Sequence, residues 1–329
     1  SRHQRRFDRT GLQNRSEEVG VFGYYLDARK KTERNDLRIG LQGQFNSLQS
    51  IADETDIVTG EISPLDTRYP DGDNTMNNIG LYATNTWKID DQWVMTGGLR
   101  FEYVTLHAVF VNKEFFDFPF DEIEQSSFPI SGSLGAIWNG ESNWRISLLS
   151  STGFRAPNVD DLAKVFESAP GSVVVPNEDL KPEKTFNVDL NVSKIFSNKV
   201  KMVVFGTLLR DAIVTDHFTY NGEDSILYDG EYSEVLANQN KQKAYLYGAN
   251  ANLFADINDN FSLISTLTYT KGEIVEDDGN EPLDHIPPLL GKTSVIYRYK
   301  GMRAELFANY NGWKHIEDYN GGGEDNEQY

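Results

Sequence analysis

Apolar and polar residues alternate along most of this chain. In NNIGLYATNTWKI, Ile79, Leu81, Ala83, Trp87 and Ile89 fall on one face of an extended segment, and Tyr82, Thr84, Thr86 and Lys88 fall on the other. The same period sets Leu37, Ile39, Leu41 and Phe45 against Arg38, Gln42 and Gln44, and Trp93, Met95, Leu99, Phe101 and Tyr103 against Thr96, Arg100 and Glu102. It returns in Phe128, Ile130, Leu134, Ala136 and Trp138; in Trp144, Ile146, Leu148 and Phe154; in Phe186, Val188, Leu190 and Val192; and in Phe261, Leu263, Leu267 and Tyr269. The pattern predicts an all-β, antiparallel chain of roughly 12 strands, each about ten residues or longer.

A soluble antiparallel sandwich alternates in the same way, so the connections must separate the two architectures. Tight turns (KIDDQW, NGESNW, SNKV, INDN, YKGM) take turns with long polar loops near 50–76, 110–127, 155–183, 217–242 and 271–288. Short connections at one end and long ones at the other are the pattern of a transmembrane β-barrel, with its long loops outside the cell. The apolar rows carry no charge, whereas Arg38, Arg100, Glu102 and Arg145 lie on the opposite rows. A lipid-facing Lys or Arg near the midplane costs about 2–4 kcal/mol, so the apolar rows predict the lipid side and the polar rows a wet lumen. Trp87, Trp93, Trp138 and Trp144 flank the short turns, joined by Phe196, Phe254 and Phe261, which predicts an aromatic girdle at the periplasmic interface.

Bulk composition narrows the function. A length of 329 residues is compatible with one large barrel unit, and a net charge of −19 excludes the basic stripe that nucleic acids require. The chain has no Cys, which removes disulfides and thiol catalysis. No apolar run reaches the roughly 20 residues of a membrane helix, a fact that leaves barrels untouched. There is no nucleophile elbow, HExxH or phosphate loop, so no catalytic residues are assigned and an enzyme is not expected. The opening SRHQRRFDRT is neither Met nor a signal peptide, which suggests a fragment or a processed product.

One stretch poses a sharper question. In STGFRAPNVDDL, alternation sends Phe154 to lipid and Arg155 to the lumen; Pro157, lacking an N–H, then ends the ladder. A long acidic loop follows, and the chain re-enters the sheet near Pro182 and Phe186. GFRAP (Phe154, Arg155, Ala156, Pro157) and then PNEDLKPE (Asn177, Asp179, Leu180) resemble the paired boxes of TonB-dependent outer-membrane receptors. KAYLYGANANLFADI and PLDHIPPLLGKTSVIYRY are similar to later barrel segments of that family, and the likeness runs through most of the chain in the family's order. The resemblance is to the receptor types for ferric siderophores, haem and cobalamin. It implies a barrel of about 22 strands, a plug domain and a periplasmic TonB partner reached through that plug. Residues 1–329 would then be a partial barrel domain, with plug and closing C-terminal strands absent.

The resemblance also orders the ligands. Haem receptors of this type commonly carry a ligating His between the two boxes, but residues 156–180 hold no His, Tyr or Met, which sets a ferric siderophore ahead of haem or cobalamin. His107, His217, His285 and His315 remain as isolated candidates, each also readable as a solvated loop histidine. Arg155 either pairs with carboxylates such as Asp160 or Asp161, or contacts an anionic chelate. Asn177 and Asp179 are expected to organise the returning loop through local side-chain to backbone bonds. Tyr220, Tyr228 and Tyr232, in an acidic aromatic loop, can stack on flat ligands, or simply face water. IVEDDGNEPLD and YPDGDN gather carboxylates that could attract Ca²⁺ without EF-hand spacing, so no metal ligand and no resident cofactor is assigned. The arginines of the first 15 residues could steer an anion or pair with a plug. A passive porin and a soluble β-sandwich binding module stay open as other classes, separable by conductance and by detergent dependence.

Overall fold

The computed structural model describes residues 2–6, 10–113, 121–163, 166–169, 171–195, 199–228, 231–275, 279–283, 286–287 and 289–314. Twelve long strands form one antiparallel meander: β2 (Gly11–Lys31), β3 (Asn35–Asp56), β5 (Asn74–Lys88), β6 (Trp93–Val109), β8 (Ile130–Asn139), β9 (Trp144–Arg155), β12 (Glu183–Ile195), β13 (Lys199–His217), β15 (Glu231–Asp256), β16 (Phe261–Val275), β18 (Leu290–Tyr299) and β19 (Met302–Asn311). Seven short strands attach to it: β1 (Arg2–Arg6), β4 (Ile62–Pro64), β7 (Glu122–Ser127), β10 (Phe166–Ala169), β11 (Ser172–Val175), β14 (Ser225–Tyr228) and β17 (Glu281–Pro282). Each long strand pairs with the next one in the sequence, and the described residues show no ladder joining β19 back to β2, so the sheet is an open, partial barrel.

Directly paired residues share a face, so the register traces each side of the wall. Leu26, Leu41, Leu81, Phe101 and Ile130 form one continuous row across five strands. Four of these side chains are exposed, Leu26 at 66% and Ile130 at 55% among them, and Leu41 is half-buried, although burying each would stabilise the fold by about 1.5–3 kcal/mol. Lipid is the solvent that resolves this, in agreement with the charge pattern. The opposite face is polar: Arg100 Nε bonds Glu102 Oε2 at 2.5 Å, Asn78 donates to Glu102 Oε1 at 2.6 Å, and Tyr82 donates to Tyr25 Oη at 2.9 Å. Gly40 makes the last contact possible, because a Cβ there would lie 2.3 Å from the Tyr82 ring.

The short turns lie at one end. Asp90 Oδ1 accepts from the Gln92 and Trp93 amides, and Asn258 Oδ1 does the same for Asn260 and Phe261, so one Asx device closes both hairpins. Trp93 pairs with Trp138 on the lipid face, and Phe261 packs on Tyr297 with ring centroids 4.9 Å apart, as the aromatic girdle requires. Phe254 departs from expectation: it pairs with Ile264, while Leu253 holds the lipid-side row with Ser265, so Phe254 faces the lumen. Phe196 lies outside the described residues.

The long connections are not irregular. β15 alone has 26 residues, against about 9–11 needed to cross a bilayer, so its first half stands outside the membrane. There the loops fold around an apolar cluster of Leu106, Ala108, Phe110, Ile123, Val159, Leu162, Val173, Val175, Leu180, Val235 and Ala237, all 7% exposed or less. Its centre is a parallel ladder, Ser172–Val175 of β11 beside Glu234–Ala237 of β15, in an otherwise antiparallel sheet. The hydrophobic core of this protein is therefore in its extracellular cap.

Candidate ligand site at the extracellular mouth

The two sequence boxes build the cap's frame. Arg155 ends β9, and its guanidinium bridges Asp161 Oδ2 at 2.6 Å and Glu183 Oε2 at 2.5 Å. Of the two aspartates expected beside it, Asp161 is the partner, and Asp160 turns instead to Arg68, 3.4 Å away. Asp161 also closes a capping box: its carboxylate accepts from the Asn158 amide at 2.9 Å, and its own amide donates to Asn158 Oδ1 at 3.0 Å. Ala156 and Pro157 thus lead into a single helical turn, α1 (Val159–Leu162), whose Val159 and Leu162 enter the apolar cluster. Phe154 shares the lipid-side row with Phe186.

In the second box Asn177 supplies side-chain bonds to the backbone, whereas Asp179 takes part through its amide. Asn177 Oδ1 accepts from the Asp179 amide at 3.1 Å, its Nδ2 donates to Asn238 O at 2.7 Å, and Leu180 is buried in the cluster. Asn240 then exchanges two bonds with Lys181 and caps Asp211 O at 2.7 Å. Asp211 sits at a β-bulge with φ +57°, where β13 bends out of the regular ladder.

The loop aromatics separate into two groups. Tyr220 and Tyr228 pack against the cluster, together with Tyr69, which sequence reasoning did not single out. Tyr228 donates to Asp66 Oδ2 at 3.0 Å, and Asp66 in turn binds Arg15 at 2.9 Å, so residues 162 positions apart meet over the mouth. Tyr232 is 79% exposed; it pairs with Leu227 and alternates with the buried Val235 and Ala237, so it points away from the cluster. His217 lies on that same face, opposite Leu236, with Nδ1 3.0 Å from Glu234. His107 meets Glu122 at 3.0 Å and Glu124 at 4.0 Å, the one His–carboxylate group among the described residues able to hold a metal ion. It stands on the face opposite buried Leu106 and Ala108, outside the mouth. His285 and His315 lie outside the described residues, as does part of IVEDDGNEPLD. In YPDGDN, both Asp71 oxygens already accept amides, from Val111 and Asn112 at 2.9 Å.

Between the top of the lumen wall and α1 lies a pocket of about 440 Å³, lined by Leu48, Arg68, Tyr69, Asn74, Met76 and Asp160 among others. The Arg68 guanidinium stands 5.4 Å from the Tyr69 ring centroid. Burial raises the Tyr69 phenol above its usual range, the Asp160 charge adding to it, so it keeps its proton at neutral pH. Asn74 gives its Nδ2 to the carbonyls of Leu48, Pro70 and Gly72, and its buried Oδ1 has no hydrogen-bond partner among the described residues. A flat ring, a cation and a free acceptor in a half-apolar recess suit a rigid polar ligand with aromatic or anionic edges. Arg68 and Tyr69 escape detection in the sequence because they sit in a polar loop, without periodicity.

Comparison with known proteins agrees with this architecture. The chain is 28% identical over 204 residues to the probable hemoglobin and hemoglobin-haptoglobin-binding protein 4 of Haemophilus influenzae, covering 57% of this chain and 20% of that protein. It is 24% identical over 258 residues to the iron-regulated outer membrane virulence protein of Vibrio cholerae, covering 73% of this chain and 36% of that one. The chain thus spans well under half the length of either relative. Among solved structures, the copper transporter OprC superposes with a TM-score of 0.76 at 18% identity, over 96% of this chain and 47% of that one. The ferric yersiniabactin uptake receptor FyuA from Yersinia pestis gives 0.65 at 17%, over 95% and 46%. These two likenesses establish the fold. Residues 2–328 match the family model for TonB dependent receptor-like, beta-barrel, and the chain belongs to that family.

Proposed function

We propose that this chain forms wall and mouth of an outer-membrane receptor that captures a scarce iron chelate, a ferric siderophore, from outside the cell. Import then draws on TonB through a plug domain. The observation that carries this reading is the mouth pocket, where Arg68 and Tyr69 supply a cation and a protonated phenol against an apolar wall. Anionic and catecholate-type chelates are complementary to that set. The name of the iron-regulated relative and the siderophore uptake named for FyuA support the same class. Haem is the second reading, favoured by the haemoglobin-binding relative. Siderophore ranks first because residues 156–180 contain none of the usual axial ligands and His217 is turned from the cluster toward Glu234.

The test is a titration of the full-length receptor, extracted in detergent, with hemin and with a panel of ferric siderophores, following absorbance and tryptophan fluorescence. Saturable quenching by a siderophore without a Soret shift is expected. A shifted Soret band at micromolar hemin would install haem as the cargo, and silence with every probe would remove the iron reading.

A further inference from the structure

The outer face of the β6–β7 hairpin gathers three metal-ligating side chains. His107 of β6 pairs directly with Glu124 of β7, and Glu122 pairs with the next outward position, Val109. His107 continues the outward row of Phe101 and Tyr103, about 13 Å of strand beyond Tyr103. By then β6 has left the apolar band, since Leu106 and Ala108 on its other face belong to the cap core.

The register sets the spacing. His107 Nε2 lies 3.0 Å from Glu122 Oε2 and 4.0 Å from Glu124 Oε1, and one ligand atom from each of the three falls within 4.8 Å of the other two. Two groups bound to one ion at about 2.0–2.2 Å stand about 3–4 Å apart, so a small turn of these side chains completes the set. The charges are unbalanced without an ion. Glu122 and Glu124 project from one face of one strand, and among the described residues no Lys or Arg pairs with either; Lys113, the cation nearest in sequence, is engaged by Asp121. Two carboxylates offset a divalent charge, and the imidazole nitrogen selects a transition metal of the zinc type over Ca²⁺ or Mg²⁺, which prefer oxygen ligands.

We propose that His107, Glu122 and Glu124 bind a divalent transition-metal ion that clasps β7 onto β6. The ligands alternate with the cap core along both strands: Leu106 and Ala108 flank His107, Ile123 lies between the two glutamates, and all three apolar residues enter the buried cluster. β7 has only the residues Glu122–Ser127, so a short ladder holds Ile123 in place, and an ion across the two strands adds a second tie.

Zinc titration of the full-length receptor, stripped of metal by a chelator and kept in detergent, tests this by calorimetry and hydrogen exchange. Wild type is expected to bind one more Zn²⁺ at micromolar concentration than His107→Gln, with Glu124→Gln weakening that site at least tenfold and Ca²⁺ failing to compete for it. With Zn²⁺ at about a hundred times its dissociation constant, opening of the β6–β7 ladder should become about 100-fold rarer in wild type. Amide exchange at Glu122–Ser127 should slow accordingly, with no response in His107→Gln. Equal zinc stoichiometry and affinity in wild type and His107→Gln overturns the site. Loss of one zinc with no change in exchange would leave an adventitious ion only and overturn the clasp.

Discussion

Arg155 has its guanidinium shared by two carboxylates from different segments, so its removal should release a loop and leave the barrel standing. The pairs are partly exposed, and the cost of Arg155→Ala is about 1 kcal/mol, felt locally. Hydrogen exchange should speed up at Asp161–Ala163 and Asn177 with the melting temperature unchanged; a barrel-wide effect would refute this division. In the pocket, Arg68→Gln and Tyr69→Ala are each expected to weaken ligand binding roughly tenfold, since an anchoring aromatic or a charge-assisted contact contributes about 1–2 kcal/mol. Unchanged quenching curves would move the site elsewhere. Asp216 supplies a pH dependence. The hydrogen bond from Lys241, 2.8 Å away above the bulge, lowers its carboxyl below the ordinary value. A depressed folded-state value stabilises above the unfolded value, near 4, and is lost as pH falls through the folded one. The stability difference between wild type and Asp216→Asn should therefore be present at pH 6 and shrink as pH falls below about 4 and through the lowered folded-state value.

A strand such as β12 carries its membrane address in its own alternation. Leu190→Lys, midway between Lys184 and Lys194, should destabilise insertion into vesicles by about 2–4 kcal/mol, whereas Asn191→Lys on the lumen row should change little. Equal penalties would mean that the faces are assigned the wrong way round. Such rows are readable from sequence because a β-strand needs only period two, and most of the long strands follow it, β13 and β15 breaking it at their bulge. Phe254 was misread because Leu253 and Phe254 are adjacent apolar residues, so local alternation has no preference between them and only pairing with β16 decides. The short strands and α1 were unreadable for another reason. Val173, Val175 and Val235 acquire their common core through parallel pairing across some sixty residues of chain, and no local window contains that information. The boxes around Arg155 and Asn177 could be quoted from the sequence, but the contact of Tyr228 with Asp66 could not.

In the molecule as a whole, lipid, water and protein exchange their usual places: the wall is greasy outside and polar inside, and the compact apolar core stands above the membrane. Leu162→Ala should therefore cost about 2–5 kcal/mol in the cap, seen as protease cleavage of the loops, while the detergent-resistant barrel survives. Loss of the barrel itself would show that cap and wall fold as one unit. The cluster collects side chains from β6, β7, α1, β11 and β15, and a slip of one residue in any of these ladders would turn its contribution to the opposite face. Only a barrel assembled in register can present the finished cap. To anything looking at the bacterium from outside, the cap is a certificate of assembly: an antibody raised against its folded surface would count correctly built receptors and ignore misassembled ones.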